Sequence, residues 1–200
     1  MSNDSDDKGN SALETVLPVL HRLQDDNRPV VVMTCGISGA GKSTLAKNIV
    51  NGLPNFVRLS VDKFICDNYR LFGENYPEEK YSDYQAEAQT FVKNELIRLL
   101  DEKSKDIVLD LAFWNKEYRE EYKEAIVQHG GRWVLVFLHA DKDTLKRRIA
   151  GRRAERDGLD HNDQRRDGDS AFNVDDDTFN MYYDGFERPD GEGEIIIKVT

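Results

Sequence analysis

An eight-residue glycine loop at residues 36–43 constrains the fold of this chain more than any other stretch. It reads GISGAGKS and fits the P-loop pattern GxxxxGK[ST]. An apolar, β-branched run at residues 30–34 precedes it and predicts a buried strand. Residues 44–50 follow with apolar side chains at helical spacing. Because strand, glycine loop and helix come in this order, the match indicates a phosphate site and not merely a glycine-rich turn.

The residues of this loop supply the parts of a phosphate site. Glycines let backbone N–H groups close around phosphate oxygens, and the helix N terminus adds a partial positive charge. The Lys42 ammonium can reach the β- and γ-phosphates, and the Ser43 hydroxyl can bind Mg²⁺. We therefore expect the loop to hold a nucleotide through these residues: Gly36, Ser38, Gly39, Ala40, Gly41, Lys42, Ser43 and Thr44.

Size and charge narrow the class of protein. The 200 residues fit one α/β domain, which we place at residues 11–200 behind a disordered acidic tail at residues 1–10. The net charge of -10 disfavours duplex nucleic acid as a partner. Cys35 and Cys66 lie in apolar surroundings, which is typical of a reducing compartment. Since we find neither a transmembrane-length apolar run nor a signal-peptide pattern, we expect a soluble, cytoplasmic protein with no membrane partner.

Apolar runs alternate with helical patterns along the rest of the chain. We predict further strands at residues 56–60, 107–111, 133–138 and 195–199, with helices between them. This alternation predicts a parallel, doubly wound α/β sheet that binds ligands beyond the carboxyl ends of its strands. An N-terminal helix is expected from a capping box at Ser11, and Pro18 either kinks it or delays its start to about Leu17.

Two aspartates follow strands at the edge where the P-loop is expected. Asp110 ends the third strand, where a carboxylate holds Mg²⁺ in P-loop proteins, although a strand-end acid can also simply cap a loop. Asp62 follows the second strand, which we expect beside the P-loop strand. Asp62 is either the N-cap of the next helix or a general base for an acceptor hydroxyl, and the two roles are compatible.

A basic helix follows the fourth strand at the same sheet edge. Arg148, Arg152 and Arg156 recur every four residues and form one stripe. Such a stripe is either a solvated face with surface ion pairs or a site for a transferring phosphoryl group. Residues 158–168 are polar and poor in apolar side chains, and we predict a mobile lid loop there, within a lid over roughly residues 145–173.

Three residues after the third strand are candidates for the acceptor side. Phe113 and Trp114 are either core aromatics or the wall of an acceptor pocket that stacks on a ring. Arg119 either pairs with neighbouring glutamates or holds a polar or anionic acceptor. The four histidines share no metal-ligand spacing, so we expect them to be structural or exposed.

Together these segments resemble the AAA-33, zeta-toxin-like group of P-loop kinases, which is similar to chloramphenicol phosphotransferase and gluconate-kinase-type enzymes. The resemblance begins near Val30 and is carried by GISGAGKST at 36–44, VDKF at 61–64, VLDLAFWNKEYREEY at 108–122, LKRRIAGRR at 145–153 and FERPDGEGE at 186–194. It implies strand order 2-3-1-4-5, an arginine lid, ATP with Mg²⁺ as cofactors, and phosphorylation of a hydroxyl group.

The resemblance also implies roles for single residues. Asp62 matches the catalytic base, and Arg119 matches the arginine that faces the acceptor. Arg148 and Arg152 match the lid arginines, which act with Lys42 on the phosphoryl group. Residues 68–84 carry no motif tied to a known acceptor, so we expect only a small molecule with a hydroxyl.

Other functions stay open at this point. A GTPase switch is disfavoured because residues 115–118 read NKEY and lack the final aspartate of a guanine-binding motif. A regulatory ATPase, a kinase of RNA or DNA ends, and a zeta-toxin-like nucleotide-sugar kinase are the alternatives to a small-molecule kinase.

Overall fold

The computed structural model describes residues 4–22, 25–159, 163 and 175–200. Residues 1–3 of the predicted tail and residues 160–162 and 164–173 of the predicted lid lie outside the described residues. The described strands are β1 (Val30–Cys35), β2 (Phe56–Ser60), β3 (Asp106–Asp110), β4 (Arg132–His139) and β5 (Ile195–Lys198). The described helices are α1 (Asp4–Leu20), α2 (Lys42–Gly52), α3 (Val61–Tyr69), α4 (Tyr81–Glu102), α5 (Lys116–Gln128), α6 (Lys142–Asp157) and α7 (Asp176–Gly185), with a 3₁₀ turn at Glu78–Lys80.

The strands form one parallel sheet in the order β2-β3-β1-β4-β5. In β1, Val32 lies opposite Val108 of β3 on one side and opposite Val134 of β4 on the other. The predicted parallel α/β sheet and the strand order implied by the resemblance are confirmed. The expectation that β2 borders the P-loop strand is wrong, because β3 lies between β1 and β2.

Helices cover both faces of the sheet, so strand residues alternate between two apolar cores. Val31 and Met33 belong to the first core, which α3, α4 and α5 close with residues such as Leu96 and Ile126. Val32 belongs to the second core, which α1, α2, α6 and α7 close with Val16, Leu45, Leu145 and Phe179. Burial on both faces explains why the inner strands are nearly continuous apolar runs.

The N-terminal helix is longer than the capping box predicts. α1 begins at Asp4 instead of Ser11. It passes through Pro18 and ends two residues later at Leu20, so the proline falls in the last turn and the start is not delayed to Leu17. No helix in the part of the chain that the structure describes is long and apolar enough to cross a membrane.

The helix that follows β2 has a different cap from the one considered in the sequence. Ser60 is the N-cap of α3, and its hydroxyl oxygen accepts a hydrogen bond from the Lys63 backbone N–H at 3.3 Å. The capping role considered for Asp62 is therefore wrong, and Asp62 lies exposed in the first turn of α3. Asn115 is the N-cap of α5, and its side-chain oxygen accepts a hydrogen bond from the Tyr118 N–H at 2.8 Å.

Candidate functional site

The P-loop joins β1 to α2 and packs closely against β4 and α6. At Gly36, with φ of +147°, a Cβ atom would lie 2.8 Å from the Leu138 carbonyl oxygen. At Gly39, with φ of +85°, a Cβ would lie 2.9 Å from the Leu145 carbonyl oxygen. Side chains are excluded at both positions, since L residues rarely adopt these angles and backbone atoms fill the space. The glycines thus keep the loop against α6 and form the cradle expected of a phosphate site.

Lys42, the first residue of α2, lies across this loop. Its ammonium donates a hydrogen bond to the Ile37 carbonyl oxygen at 3.2 Å. Burial among the surrounding atoms lowers the pKa of Lys42, although its side chain keeps some contact with solvent. The carboxylates of Asp110 and Asp62 raise the pKa of Lys42, and the Arg152 guanidinium lowers it further. The fold therefore brings two predicted acids and one predicted lid arginine into the field of the P-loop lysine.

Asp110, at the end of β3, is buried and ion-paired with Arg58 of β2. The Arg58 Nε donates to Asp110 Oδ2 at 2.9 Å, and its Nη2 donates to the same oxygen. Arg58 was missed in the sequence, although it is the only charged residue in the strand sequence FVRLS. The β2–β3 register, which sets Ser60 opposite Asp110, brings the two residues together.

Oxygen ligands for Mg²⁺ are available near this pair. The Ser43 hydroxyl and the Asp110 carboxylate are both of the hard oxygen type that Mg²⁺ prefers. Among the described residues, no group of three or more His, Cys, Asp or Glu side chains could hold a metal ion. Mg²⁺ in proteins usually takes most of its ligands from water and from substrate phosphates, with only one or two carboxylates.

Asp62 lies near two tyrosines, the buried Tyr76 and the half-buried Tyr81. Burial raises the pKa of Tyr76 and of Tyr81, and the nearby Asp62 carboxylate raises both further. Both phenols therefore keep their protons at neutral pH and can act as hydrogen-bond donors. An exposed carboxylate beside such donors is accessible to an acceptor hydroxyl.

The segment 68–84, which has no recognisable motif, contributes a cluster of aromatic rings. Tyr69 stacks on Tyr84 with ring centroids 3.6 Å apart, and Tyr76 meets Tyr84 edge-on at 5.1 Å. Phe72 contacts Tyr76 and Tyr81 edge-on. The density of aromatic residues in this segment was the signal that could have identified a packed wall between α3 and α4.

The predicted lid arginines lie against the P-loop. Arg152 Nη2 is 3.5 Å from the Ser38 hydroxyl oxygen. Arg148 Nη1 would be 3.9 Å from a Cβ placed on Gly41, and its Nη2 donates to the Thr200 carbonyl oxygen at 3.0 Å. Both side chains are half-buried, so the solvated-face alternative does not describe them. Arg156 is also half-buried and pairs with Asp157.

Two of the three acceptor-side candidates belong to the interior. The Phe113 ring is fully buried and lies 5.5 and 5.2 Å from the rings of Tyr118 and Tyr122. Arg119 is 1% exposed, and its guanidinium bonds to Glu192 at 2.6 and 2.8 Å. The expectation that Arg119 faces the acceptor is therefore not met, because the partner that orients it lies 73 residues further along the chain.

Trp114 differs from its two neighbours. Its side chain is 53% exposed at the sheet edge that carries the P-loop. Of the aromatic pair after β3, Phe113 is therefore a core residue and Trp114 is the one that can meet a ligand.

Comparison with solved structures identifies the same fold. The chain is similar to a candidate kinase from Chloroflexus aurantiacus, with a TM-score of 0.63 and 16% identity over 85% of this chain and 88% of that one. It is also similar to the Mycobacterium tuberculosis APS kinase CysC in complex with AMPPNP and APS (TM-score 0.52, 16% identity, 86% and 88% coverage). A third similar structure is Chaetomium thermophilum Kti12 in complex with ADP-AlF3 (TM-score 0.57, 12% identity, 84% and 88% coverage).

Comparison with curated proteins and protein families gives the relationship by sequence. Uridine-cytidine kinase C of Dictyostelium discoideum is 29% identical over 102 residues, which are 51% of this chain and 21% of that protein. The chain thus spans about a fifth of the length of this relative. A sequence model of the AAA_33 family, described as an AAA domain, matches residues 31–189. Since this match covers well over half of the chain, the protein belongs to the AAA_33 family and has the fold of a P-loop kinase.

Proposed function

We propose that this protein transfers the γ-phosphoryl group of ATP to a hydroxyl group of a small molecule, with Mg²⁺ as the metal. The observation that carries the proposal is the convergence of Asp62, Asp110 and Arg152 on the P-loop lysine Lys42. A phosphoryl transfer site needs a cation at the γ-phosphate, an acid at the metal and an acid at the acceptor. One sheet edge of this chain carries all three.

The P-loop side binds and orients the nucleotide. The backbone N–H groups of the loop and the N terminus of α2 hold the phosphates, and Lys42 neutralises charge at the β- and γ-positions. Mg²⁺, when bound, draws charge from the phosphate oxygens. In this chain Ser43 and Asp110 would hold it, Asp110 directly or through water. The Arg58 pair fixes the orientation of the Asp110 carboxylate.

The acceptor side activates the hydroxyl. Asp62 accepts the hydroxyl proton as the acceptor oxygen bonds to the γ-phosphorus, and the bond to the bridging oxygen breaks so that ADP leaves. Arg148 and Arg152, anchored beside the loop, stabilise the charge on the equatorial oxygens during transfer. These roles make Lys42, Asp62, Arg148 and Arg152 the catalytic set.

Nucleosides are the first acceptors to test. The similarity to a uridine-cytidine kinase supports this choice, and the net charge of -10 disfavours longer nucleic acids. A plain ATPase is the competing function, because water can occupy the place of the acceptor hydroxyl beside Asp62. Acceptor-stimulated ADP release distinguishes a kinase from an ATPase.

The decisive experiment screens nucleosides, sugars and sugar acids for ATP-dependent phosphorylation by mass spectrometry, with wild-type protein and Lys42→Ala side by side. We expect at least one phosphorylated acceptor with the wild type and none with Lys42→Ala, which also binds ATP more weakly. Lys47→Ala, on the same helix, is the matched control and should retain activity. Undiminished turnover in Lys42→Ala would remove the proposal.

A further inference from the structure

The turn that follows β3 has a strained backbone. Phe113 adopts φ of +47°, which lies in the left-handed region that residues other than glycine avoid. Such strain persists only where the surroundings impose it, and it clusters at functional sites. The residue placed by this turn is Trp114, whose large side chain is 53% exposed. The turn therefore buries one aromatic ring and presents the next one to solvent.

One side of the turn is bonded to the P-loop. The Ala112 carbonyl oxygen accepts a hydrogen bond from the Gly36 N–H at 3.1 Å. The Phe113 carbonyl oxygen accepts from the Cys35 thiol at 3.3 Å. Cys35 ends β1 and Gly36 begins the P-loop, so the position of Trp114 is tied to the position of the phosphate-binding backbone.

The other side of the turn is held by Arg119 of the following helix and by Glu187, which comes from a distant part of the chain. Arg119 Nη1 donates to the carbonyl oxygens of Phe113, at 3.0 Å, and of Glu187, at 2.8 Å. The Glu187 N–H donates to the Trp114 carbonyl oxygen at 2.9 Å. The Glu187 carboxylate accepts from the Lys116 N–H at 2.7 Å, at the N terminus of α5. Glu187 thus contacts Trp114 through its N–H group, Arg119 through its carbonyl group, and the N terminus of α5 through its side chain.

Glu192 fixes the arginine at the centre of this arrangement. Both of its carboxylate oxygens bond to Arg119, and the two side chains are 5% and 1% exposed. A guanidinium held in this way has no freedom to follow a ligand. Its function is to set the geometry of its neighbours.

We propose that Arg119, Glu187 and Glu192 are positioning residues that hold Trp114 as a stacking surface for a planar ring of the acceptor. The acceptor is then a ring-bearing alcohol of the nucleoside class, whose base lies on the indole while its hydroxyl meets the phosphate. An aromatic side chain stacks on any nucleobase, because every base has a π-face. This inference rests on the proposed kinase function for the identity of the transferred group.

The stacking is tested by fluorescence in a Trp133→Phe background, where Trp114 is the remaining one of the two tryptophans. The probes are uridine, cytidine, adenosine and guanosine, with ribose as the matched compound that has hydroxyls but no ring. We expect saturable quenching of Trp114 by at least one nucleoside and none by ribose, and Trp114→Phe should bind that nucleoside more tightly than Trp114→Ala. Absence of quenching by all four nucleosides, or equal quenching by ribose, would overturn the inference.

The positioning network is tested with Glu187→Ala against Glu117→Ala, an exposed carboxylate in the first turn of α5. We expect Glu187→Ala to raise the quenching of Trp114 by acrylamide and to weaken nucleoside binding by about fivefold, the effect of losing one hydrogen bond. ATP affinity and the melting temperature should match those of Glu117→Ala. Equal behaviour of the two variants in every measurement would show that Glu187 does not position Trp114.

These outcomes are separable from the outcome for the kinase function. If nucleosides stack on Trp114 but no acceptor is phosphorylated, the kinase proposal fails and the binding surface stands. If ring-free alcohols are phosphorylated and Trp114→Ala leaves kcat and KM unchanged, the kinase stands and the stacking inference fails.

Discussion

Arg58 and Asp110 form a buried ion pair that joins β2 to β3 directly beside the P-loop lysine. The Arg58 Nε lies 2.9 Å from Asp110 Oδ2, and the two side chains are only 11% and 3% exposed. Two guanidinium nitrogens donate to the same carboxylate oxygen, so the Asp110 side chain is held in one orientation. The pair therefore links the stability of the fold to the carboxylate that we propose for Mg²⁺.

The first prediction follows from that burial. Arg58→Met should lower the free energy of unfolding by about 3–5 kcal/mol, because it leaves an uncompensated charge on Asp110. Chemical denaturation monitored by circular dichroism gives this value. Arg28→Met is the control, since its pair with Asp26 is exposed and its loss should change the stability little. Equal stability of the two variants would mean that Asp110 is solvated by other groups.

The second prediction concerns Asp62. Asp62→Asn should reduce acceptor phosphorylation by about two to four orders of magnitude, the range for losing a general base. The melting temperature and ATP affinity should stay near normal, because Ser60 caps α3 and Asp62 does not. Steady-state kinetics and thermal unfolding measure the two effects.

Asp67→Asn is the matched control for the base, since Asp67 lies on the same helix and pairs only at the surface with Lys63. It should leave turnover intact. A loss of activity in Asp67→Asn with normal activity in Asp62→Asn would transfer the role of base to Asp67.

The third prediction concerns the arginines of α6. Arg148→Ala and Arg152→Ala should lower kcat far more than they raise the KM for ATP, because charge on the phosphoryl oxygens differs most between the ground state and the transition state. Arg147→Ala removes a neighbouring charge whose hydrogen bond, among the described residues, goes to Thr144 of the same helix, and it should have little effect on kcat. A rise in KM alone would make Arg148 and Arg152 ground-state binders.

The fourth prediction is a pH dependence of stability. The hydrogen bonds from Arg119, opposed by burial, hold the pKa of Glu192 below its ordinary value of 4.5. A lowered pKa means that the stabilisation is fully present above about pH 4.5 and is lost as the pH falls further, toward the folded-state pKa. Glu192→Gln should cost about 2 kcal/mol at pH 7 and flatten the acid limb of the stability curve. Urea denaturation between pH 3 and pH 7 measures the loss of stability and its pH dependence. Glu124→Gln, at an exposed position, is the control and should show the same decrease of stability at acid pH as the wild type.

Local signals in the sequence predicted the fold well. The strands were placed to within about one residue at nearly every end, because parallel strands buried on both faces appear as uninterrupted apolar runs. The P-loop could also be identified from the sequence, because its fold requires glycines at positions where nearby backbone atoms fill the space of a side chain. The cap of α5 is equally local, since Asn115 bonds to Tyr118, three residues away.

Contacts between distant segments could not be read from the sequence. In the sequence, Arg119 matches an acceptor-facing arginine. In the fold, the loop before β5 brings Glu192 beside it, and the two residues pair in the interior. Arg58 became significant only through the β2–β3 register, which no local pattern fixes. Ser60 and Asp62 are both good N-cap residues, and the choice between them depended on where β2 ends.

Gly39 of the P-loop packs against the Leu145 backbone, so α6 contacts the loop near the start of the helix. Arg152 lies seven residues beyond Leu145, which is about 10 Å along a helix axis. A tilt of α6 by about 10° around the Gly39–Leu145 contact would move the backbone at Arg152 by about 2 Å, while the backbone at Gly39 would barely move. The distance of Arg152 from this contact therefore means that a small change in the tilt of α6 would move its guanidinium much more than it would move the loop.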